Sequence, residues 1–339
     1  MADKTPWNPK ENEGVIFTAQ RESLSMALNE IYQAVPNTAF GQWMGKDAGA
    51  VDVPGGFYTL YDALKGKPPI FLRHIFPVQM VIDLEQQGLE DGVAGLIDGL
   101  KKEKAFSVQA RGEGAREQGK QMSTYIASLG YTQDVRYPEQ IISIYIQDGK
   151  AYAGLSTPKK NLSIWSGGMN RYSREGNYIS RAQFKLVEAF EAFDLRPVRG
   201  SRALDLGAAP GGWTMVLLDL GYRVCAVDPA PLDDRLVKRK SLTYVKGTAQ
   251  HFLRESKGQF ELLVNDMIID ARESAVLMNQ FAERLSAGGH AIMTVKLPRK
   301  ETVKRMKSAL KLLEREYEIM GVKQLSQNKS EVTCLMKKK

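Results

Sequence analysis

Residues 203–213 read ALDLGAAPGGW. The apolar run 202–206 holds a single acid, Asp205, and breaks into a loop containing Gly207, Pro210, Gly211 and Gly212. From Trp213 the run WTMVLLDL reads as the start of a helix. A strand, a glycine turn and a helix bring backbone N–H groups and a helix N-terminus up to a ligand. A second apolar run, 222–227, ends in Asp228, and an acid at that point is placed to take the hydroxyls of a ribose. The centre of the chain therefore reads as a nucleoside-cofactor site. The glycine spacing is not G-x-G-x-x-G, and Pro210 offers no N–H to a pyrophosphate. No G-K-[ST] follows, so a P-loop is excluded as well.

Outward from this stretch, strands and helices alternate to the end of the chain. A helix is expected at 181–193, with Ser180 as its N-cap. Strands are expected at 202–206, 222–227, 242–245, 262–266 and 290–296, then a final pair. Helices fall between them at 213–220, 249–254, 271–286 and 301–316. Such alternation predicts a parallel sheet with helices on both faces. Four ionisable residues stand where strands end or a helix faces the sheet: Lys185 in SRAQFKL, Asp266 after ELLVN, Lys296 after AIMTV, and Glu331 before VTCLM. Charges at the C-terminal ends of parallel strands face the ligand crevice. Taken one at a time, each also reads as a surface charge at the end of an element.

DLGAAPGGW resembles motif I of S-adenosylmethionine-dependent methyltransferases, and most closely that of the FtsJ/RrmJ-type RNA 2′-O-ribose methyltransferases. Lys185, Asp266, Lys296 and Glu331 match that family's Lys-Asp-Lys-Glu tetrad in order. The resemblance implies a Rossmann-like α/β methyltransferase domain with S-adenosyl-L-methionine as cofactor. Gly207, Ala209, Pro210, Gly211, Gly212 and Trp213 would line the methionine end, above Asp205. Asp228 would take the ribose, and Asp266 would lie beside the reacting group. The family carries an acid near the adenine where this chain reads VKGTAQ, so Thr248 occupies that place. For the chemistry, a free lysine has a pKa of about 10.4 and is a poor base at neutral pH. Burial and a second lysine both lower that value. Lys296 is therefore expected to be the general base, with Lys185 as the cation that depresses its pKa. Asp266 and Glu331 would hold the pair while opposing that shift.

The chain has 339 residues and a net charge of +8. At roughly 150 residues per domain, two or three domains are expected. Residues 161–339 hold 30 lysines and arginines against 20 acids, while residues 1–160 hold 17 against 19. The basic excess sits on the half with the cofactor motif and suits a polyanion, although it also fits a solvated surface with a lysine tail. Two cysteines and three scattered histidines make neither a disulfide framework nor a metal site. No apolar run approaches the length of a membrane span, and MADKTPWNPK is not a signal peptide. The expected location is the cytoplasm, with no membrane and no metal partner, and the oligomeric state is open.

Ahead of the catalytic half, residues 1–68 read as a small α+β, ferredoxin-like module: a strand at 14–19, a helix at 22–35, and apolar runs at 40–44 and 56–61. Residues 69–160 read as a second module. It has a strand at 70–75, helices at 91–100 and 112–129, and strands at 105–110, 140–147 and 151–155 around the turn Asp148-Gly149. FSVQARG and IYIQDGKAYAGLS resemble a THUMP domain, an RNA-binding appendage of RNA-modifying enzymes. Residues 161–178 read as a linker, and 179–339 as the methyltransferase domain. In the linker, Trp165, Arg171 and Tyr172 suit either nucleic acid or packing at a domain joint. Arg171, Arg181 and Arg299 are the expected RNA contacts. The order of modules resembles that of the large-subunit rRNA cytidine 2′-O-methyltransferases, which implies an rRNA substrate. A tRNA ribose and a non-catalytic ribosome-assembly role are the alternatives.

Overall fold

The structure is a computed structural model that describes residues 7–170, 172, 178–298 and 301–339. It forms two compact units, Met1–Asn170 and Arg171–Lys339.

The N-terminal unit carries two four-stranded sheets. The first contains β1 (Gly14–Thr18), β2 (Ala39–Met44), β3 (Ala48–Asp52) and β4 (His74–Pro77), in the antiparallel order β2-β3-β1-β4. Helices Leu24–Ala34 and Gly56–Gly66 complete a βαββαβ order. The stretch 56–61 is thus helical: Phe57, Leu60, Tyr61 and Leu64 recur at helical period and are buried. The first module also runs past residue 68, because β4 pairs with β1. That strand begins at His74 rather than at residue 70 because Glu30 takes the amides of Ile70, Phe71 and Leu72 at 2.8–3.0 Å. Amides held by a carboxylate cannot join a ladder.

The second sheet contains β5 (Met80–Asp83), β6 (Phe106–Gly112), β7 (Gln140–Gln147) and β8 (Lys150–Ser156), in the order β5-β8-β7-β6 with β6 and β7 parallel. Asp148 (φ 50°) and Gly149 (φ 71°) turn β7 into β8. The helix expected at 91–100 is two short turns, Leu89–Gly92 and Ala94–Asp98. Trp7, Ile16 and Phe76 share one core with Tyr145 and Tyr152 of the second sheet. The expected linker is in part a strap across both sheets. Asn161 O accepts from Ile75 N at 3.2 Å, Ile164 O from Gln109 Nε2 at 2.7 Å, and Gly167 O from Thr18 Oγ1 at 2.9 Å. Residues 161–170 therefore fold with the N-terminal unit.

The C-terminal unit is built on one seven-stranded sheet. Its strands are β9 (Arg202–Leu206), β10 (Arg223–Asp228), β11 (Leu242–Lys246), β12 (Phe260–Asn265), β13 (Leu285–Lys296), β14 (Tyr317–Lys323) and β15 (Glu331–Lys338). Their order is β11-β10-β9-β12-β13-β15-β14. The first five are parallel, and β15 runs against both its neighbours. The strand order reverses between β9 and β12, and ligands of open α/β sheets bind at that point, beyond the strands' C-terminal ends. Leu186, Ala189, Trp213 and Leu217 pack helices Gln183–Ala192 and Gly212–Asp219 onto the sheet. Ser180 does not cap the first helix. Ala182 holds the N-cap position without a side-chain bond, and Ser180 lies against Gly212 instead.

Candidate active site

The four ionisable residues meet at the C-terminal ends of the central strands. Asp266 follows the last residue of β12, Lys296 ends β13, and Glu331 opens β15 directly opposite Lys296 in the antiparallel register. Lys185 reaches them from helix Gln183–Ala192. Its Nζ lies 3.0 Å from Asp266 Oδ2 and 2.7 Å from Glu331 Oε1. Lys296 Nζ lies 2.9 Å from Asp266 Oδ1 and 2.6 Å from Glu331 Oε2. The result is a closed square of alternating charge in which each lysine meets both acids. All four side chains are largely shielded from solvent.

The square accounts for its own titration. Burial pushes the Lys185 ammonium down, but Asp266 and Glu331 outweigh it and hold the group above the usual lysine value. Burial pushes the Glu331 carboxyl up, and the two lysines outweigh that and hold it below the usual carboxylate range. Both ammonium groups face two carboxylates, so attraction dominates repulsion around Lys185.

Three more residues enter the arrangement. Thr294 Oγ1 donates to Asp266 Oδ1 at 2.7 Å and lies 2.8 Å from Lys296 Nζ. It stands two residues before Lys296, and period-two alternation puts both on one face of β13. Asn328 Nδ2 donates to Glu331 Oε1 at 3.3 Å. Glu188, three residues after Lys185 and so on the same helix face, accepts from Ser326 N at 2.8 Å.

The glycine loop adjoins the square. Gly207 (φ 72°) passes under Met267, next to Asp266, and an added Cβ would lie 2.2 Å from Met267 Cγ. Gly211 (φ 114°) and Gly212 open the helix beneath Ile179 and Ser180. The loop's first amides are turned inward. Gly207 N and Ala208 N donate to Val227 O, and Ala209 N donates to Asp228 Oδ2 at 3.0 Å. Asp228 Oδ1 accepts from Ala230 N at 2.8 Å, so this carboxylate joins the loop to the turn after β10. The peptide before Pro210 is cis, and Pro210 O accepts from Asp233 N.

Several expected cofactor residues have structural duties. Trp213 is buried in the core, and its Nε1 donates to Ala182 O at 2.8 Å, so it packs the helix rather than facing a ligand. Asp205 lies beneath the loop, 1% exposed, and accepts from Thr214 Oγ1 at 2.6 Å. Burial pushes its carboxyl up to about 7. Thr248 caps helix Ala249–Glu255 by accepting from His251 N, which leaves its hydroxyl proton free to donate. Arg181 is exposed just ahead of the Lys185 helix and takes no part in the square, while Arg171 and Arg299 lie outside the described residues. Among the described residues no cluster of His, Cys, Asp and Glu is placed to hold a metal, and no helix is long and apolar enough to cross a membrane.

These residues fit S-adenosylmethionine. The approach over Gly207 and Gly211 is one that a Cβ would fill. The N–H groups of the first helical turn after Gly211 have no partners within their own helix. Asp228 retains lone pairs for a diol beyond the two amides it accepts.

Residues 178–330 match the FtsJ-like methyltransferase family. Curated relatives include Ribosomal RNA large subunit methyltransferase M of Cellvibrio japonicus, 33% identical over 216 residues that cover 59% of each protein. The protein of the same name from Azoarcus sp. is 32% identical over 191 residues, covering 52% of this chain and 51% of that one. The chain spans about half to three fifths of the length of these relatives.

Proposed function

We propose, from the membership of residues 178–330 in the FtsJ-like methyltransferase family, that this chain methylates a ribose 2′-hydroxyl of RNA. S-adenosylmethionine supplies an electrophilic methyl group on a sulfonium. The substrate is large-subunit rRNA, with cytidine as the modified nucleotide, and the work is done in the cytoplasm. The relatives' printed name and the basic catalytic half support this substrate. The THUMP-like module, within the N-terminal unit, captures the RNA.

The observation that carries the reading is the closed square beside the glycine loop. A ribose hydroxyl is a weak nucleophile until a base takes its proton. Lys296 is that base. It ends the strand next to Asp266, and Thr294, Asp266 and Glu331 fix its Nζ from three sides. The square is electrically balanced, with two cations and two anions. Lys185, in the same square, makes loss of the Lys296 proton less costly than it would be beside the two carboxylates alone. Lys185 shares both carboxylates with Lys296 and keeps them from collapsing onto it alone. Asp228 and the first helical turn bind the cofactor. Much of the remaining rate comes from holding oxygen and methyl carbon in line.

The test is a map of ribose methylation on total RNA from cells with and without the gene. One lost site in large-subunit rRNA supports the reading. A lost tRNA site moves the substrate, and no lost site in any RNA overturns the enzymatic reading in favour of an assembly role.

A further inference from the structure

The square's fourth corner depends on a loop, and the loop depends on the helix that carries Lys185. Residues 324–330 connect β14 to β15 and lead into Glu331. Glu188 is buried on that helix, and its carboxylate accepts from Ser326 N at 2.8 Å, Ser326 Oγ at 2.9 Å and Gln327 N at 3.0 Å. One turn of helix thus grips the site twice, directly through Lys185 and indirectly through the loop.

Asn328 is the link between loop and square. It is 2% exposed. Its Oδ1 accepts from Leu325 N at 2.7 Å and from Thr333 Oγ1 at 3.1 Å. Those two donors identify the oxygen, so the amide nitrogen is the group facing Glu331. It donates to Glu331 Oε1 at 3.3 Å, the same oxygen that receives Lys185 at 2.7 Å. The terminal torsion of a glutamate is soft and broad. Without the Asn328 donor, Oε1 is held by Lys185 alone, and the carboxylate plane can turn with the two long lysine side chains. A swung carboxylate gives up one of its two lysines.

We propose that Asn328 is a positioning residue for the methyl transfer: it sets the plane of the Glu331 carboxylate so that one oxygen meets Lys185 and the other meets Lys296. Glu188 holds the loop in which Asn328 sits. The inference rests on the reading of the square as the reaction centre. Its size follows from geometry, since a displacement of about 1 Å at a reacting group can cost on the order of 10²-fold in rate.

Asn328→Asp separates positioning from structure. The aspartate keeps an oxygen for Leu325 N and Thr333 Oγ1, but it replaces the donor on Glu331 with a second acceptor. Asn328→Ser repeats the test without added charge, because its hydroxyl can serve Leu325 N yet is too short to reach Glu331. The full chain is assayed with tritiated S-adenosylmethionine and large-subunit rRNA from cells lacking the gene. Cofactor Kd and melting temperature are measured alongside. Both variants are expected to lose about tenfold or more in kcat, with KM and Kd for the cofactor within about twofold of wild type. In Asn328→Asp the ascending limb of the kcat–pH profile, which reports the base, also moves to higher pH. The charged groups facing Glu331 there are Lys185 and Lys296, with Asp266 across the square, and an extra carboxylate holds the lysine protons more tightly. Wild-type kcat in both variants, or a kcat loss that only tracks a lowered melting temperature, overturns the inference. A wild-type chain that transfers no methyl group to any RNA overturns the reading beneath it instead.

Discussion

Each unit buries a polar cluster, and the two are built on opposite plans. In the C-terminal unit, Lys185, Asp266, Lys296 and Glu331 close a square in which every charge meets two of opposite sign. In the N-terminal unit, His74, Gln109 and Arg111 gather where the two sheets meet the strap 161–170. Arg111 pairs with Asp47 at 2.5 Å and reaches Ser166 O at 3.4 Å. There, His74 Nδ1 and Nε2, Gln109 Oε1 and Arg111 Nε have no hydrogen-bond partner among the described residues. Buried charges are retained at a cost unless they are paired and hydrogen-bonded. The first cluster meets that cost completely and adjoins the glycine loop. The second meets it only in part, and it serves to seat one segment on two sheets. The difference is one of satisfaction: the cluster beside the glycine loop pairs every charge, while the cluster under the strap leaves polar atoms without partners.

The sharpest way to break this contrast is to remove one charge from each cluster. Lys296→Ala should lower methyl transfer by about 10³-fold, the middle of the range for loss of a general base. Its cofactor Kd, read by calorimetry, should stay near wild type. Transfer at a tenth of the wild-type rate or faster would take the base role away from Lys296. Arg111→Met, in the other cluster, should leave kcat on a saturating RNA substrate unchanged. The next effect in size belongs to the loop beside the square. Gly207→Ala puts a Cβ 2.2 Å from Met267 Cγ at a φ of 72°, so the loop must shift. Cofactor Kd should rise about tenfold, while the lysines and acids stay in place. An unchanged Kd would mean that the cofactor does not pass over Gly207.

Much of this contrast was legible in the sequence, and for a physical reason. Strand β9, the glycine loop and the helix after it follow from local period and backbone freedom, so 202–206 was placed to the residue. Asp266, Lys296 and Glu331 stand out as charges at the ends of apolar runs, while Lys185, inside a helix, joins them only through the family's Lys-Asp-Lys-Glu order. Trp213 was misassigned because an aromatic beside a ligand loop and one packed under it look alike in sequence. Thr294 was within reach, two residues before Lys296 on a strand whose alternation was evident. Asn328 and Glu188 were not, because their roles depend on a loop returning to a helix about 140 residues earlier. The strand expected to begin at residue 70 begins at His74 for a similar reason. Glu30 diverts the amides of Ile70, Phe71 and Leu72, and no local pattern announces a side chain that arrives from another element.

The buried titrating groups offer a finer test, in stability rather than rate. Asp205 lies between the glycine loop and the sheet, with its carboxyl pushed up to about 7 by burial from an ordinary value of 3.8. A raised carboxyl favours the protonated folded state. The stability it confers is full below the ordinary value and is lost as pH rises through about 7. Asp205→Asn, which mimics the protonated acid, should therefore match the wild-type melting temperature near pH 4 and gain on it steadily toward pH 7, exceeding it by a few degrees at pH 8. A difference that stays flat across that range would mean that Asp205 is ionised throughout.

His74 is the mirror image, and the smallest effect expected. Burial, with the Arg111 charge adding to it, pushes its imidazole down from 6.5 to about 3. A histidine held neutral in the fold contributes stability that is present above its ordinary value and is lost as pH falls toward the depressed one. His74→Leu retains an apolar side chain between the sheets and removes both unpartnered nitrogens, so it has nothing to protonate. Calorimetry of the full chain from pH 7.5 to pH 4.5 should show the variant gaining on wild type as the pH falls, by a few degrees. Wild type and variant losing stability in parallel would show that His74 finds a proton acceptor when charged. The N-terminal cluster would then share the complete pairing that distinguishes the square of Lys185, Asp266, Lys296 and Glu331.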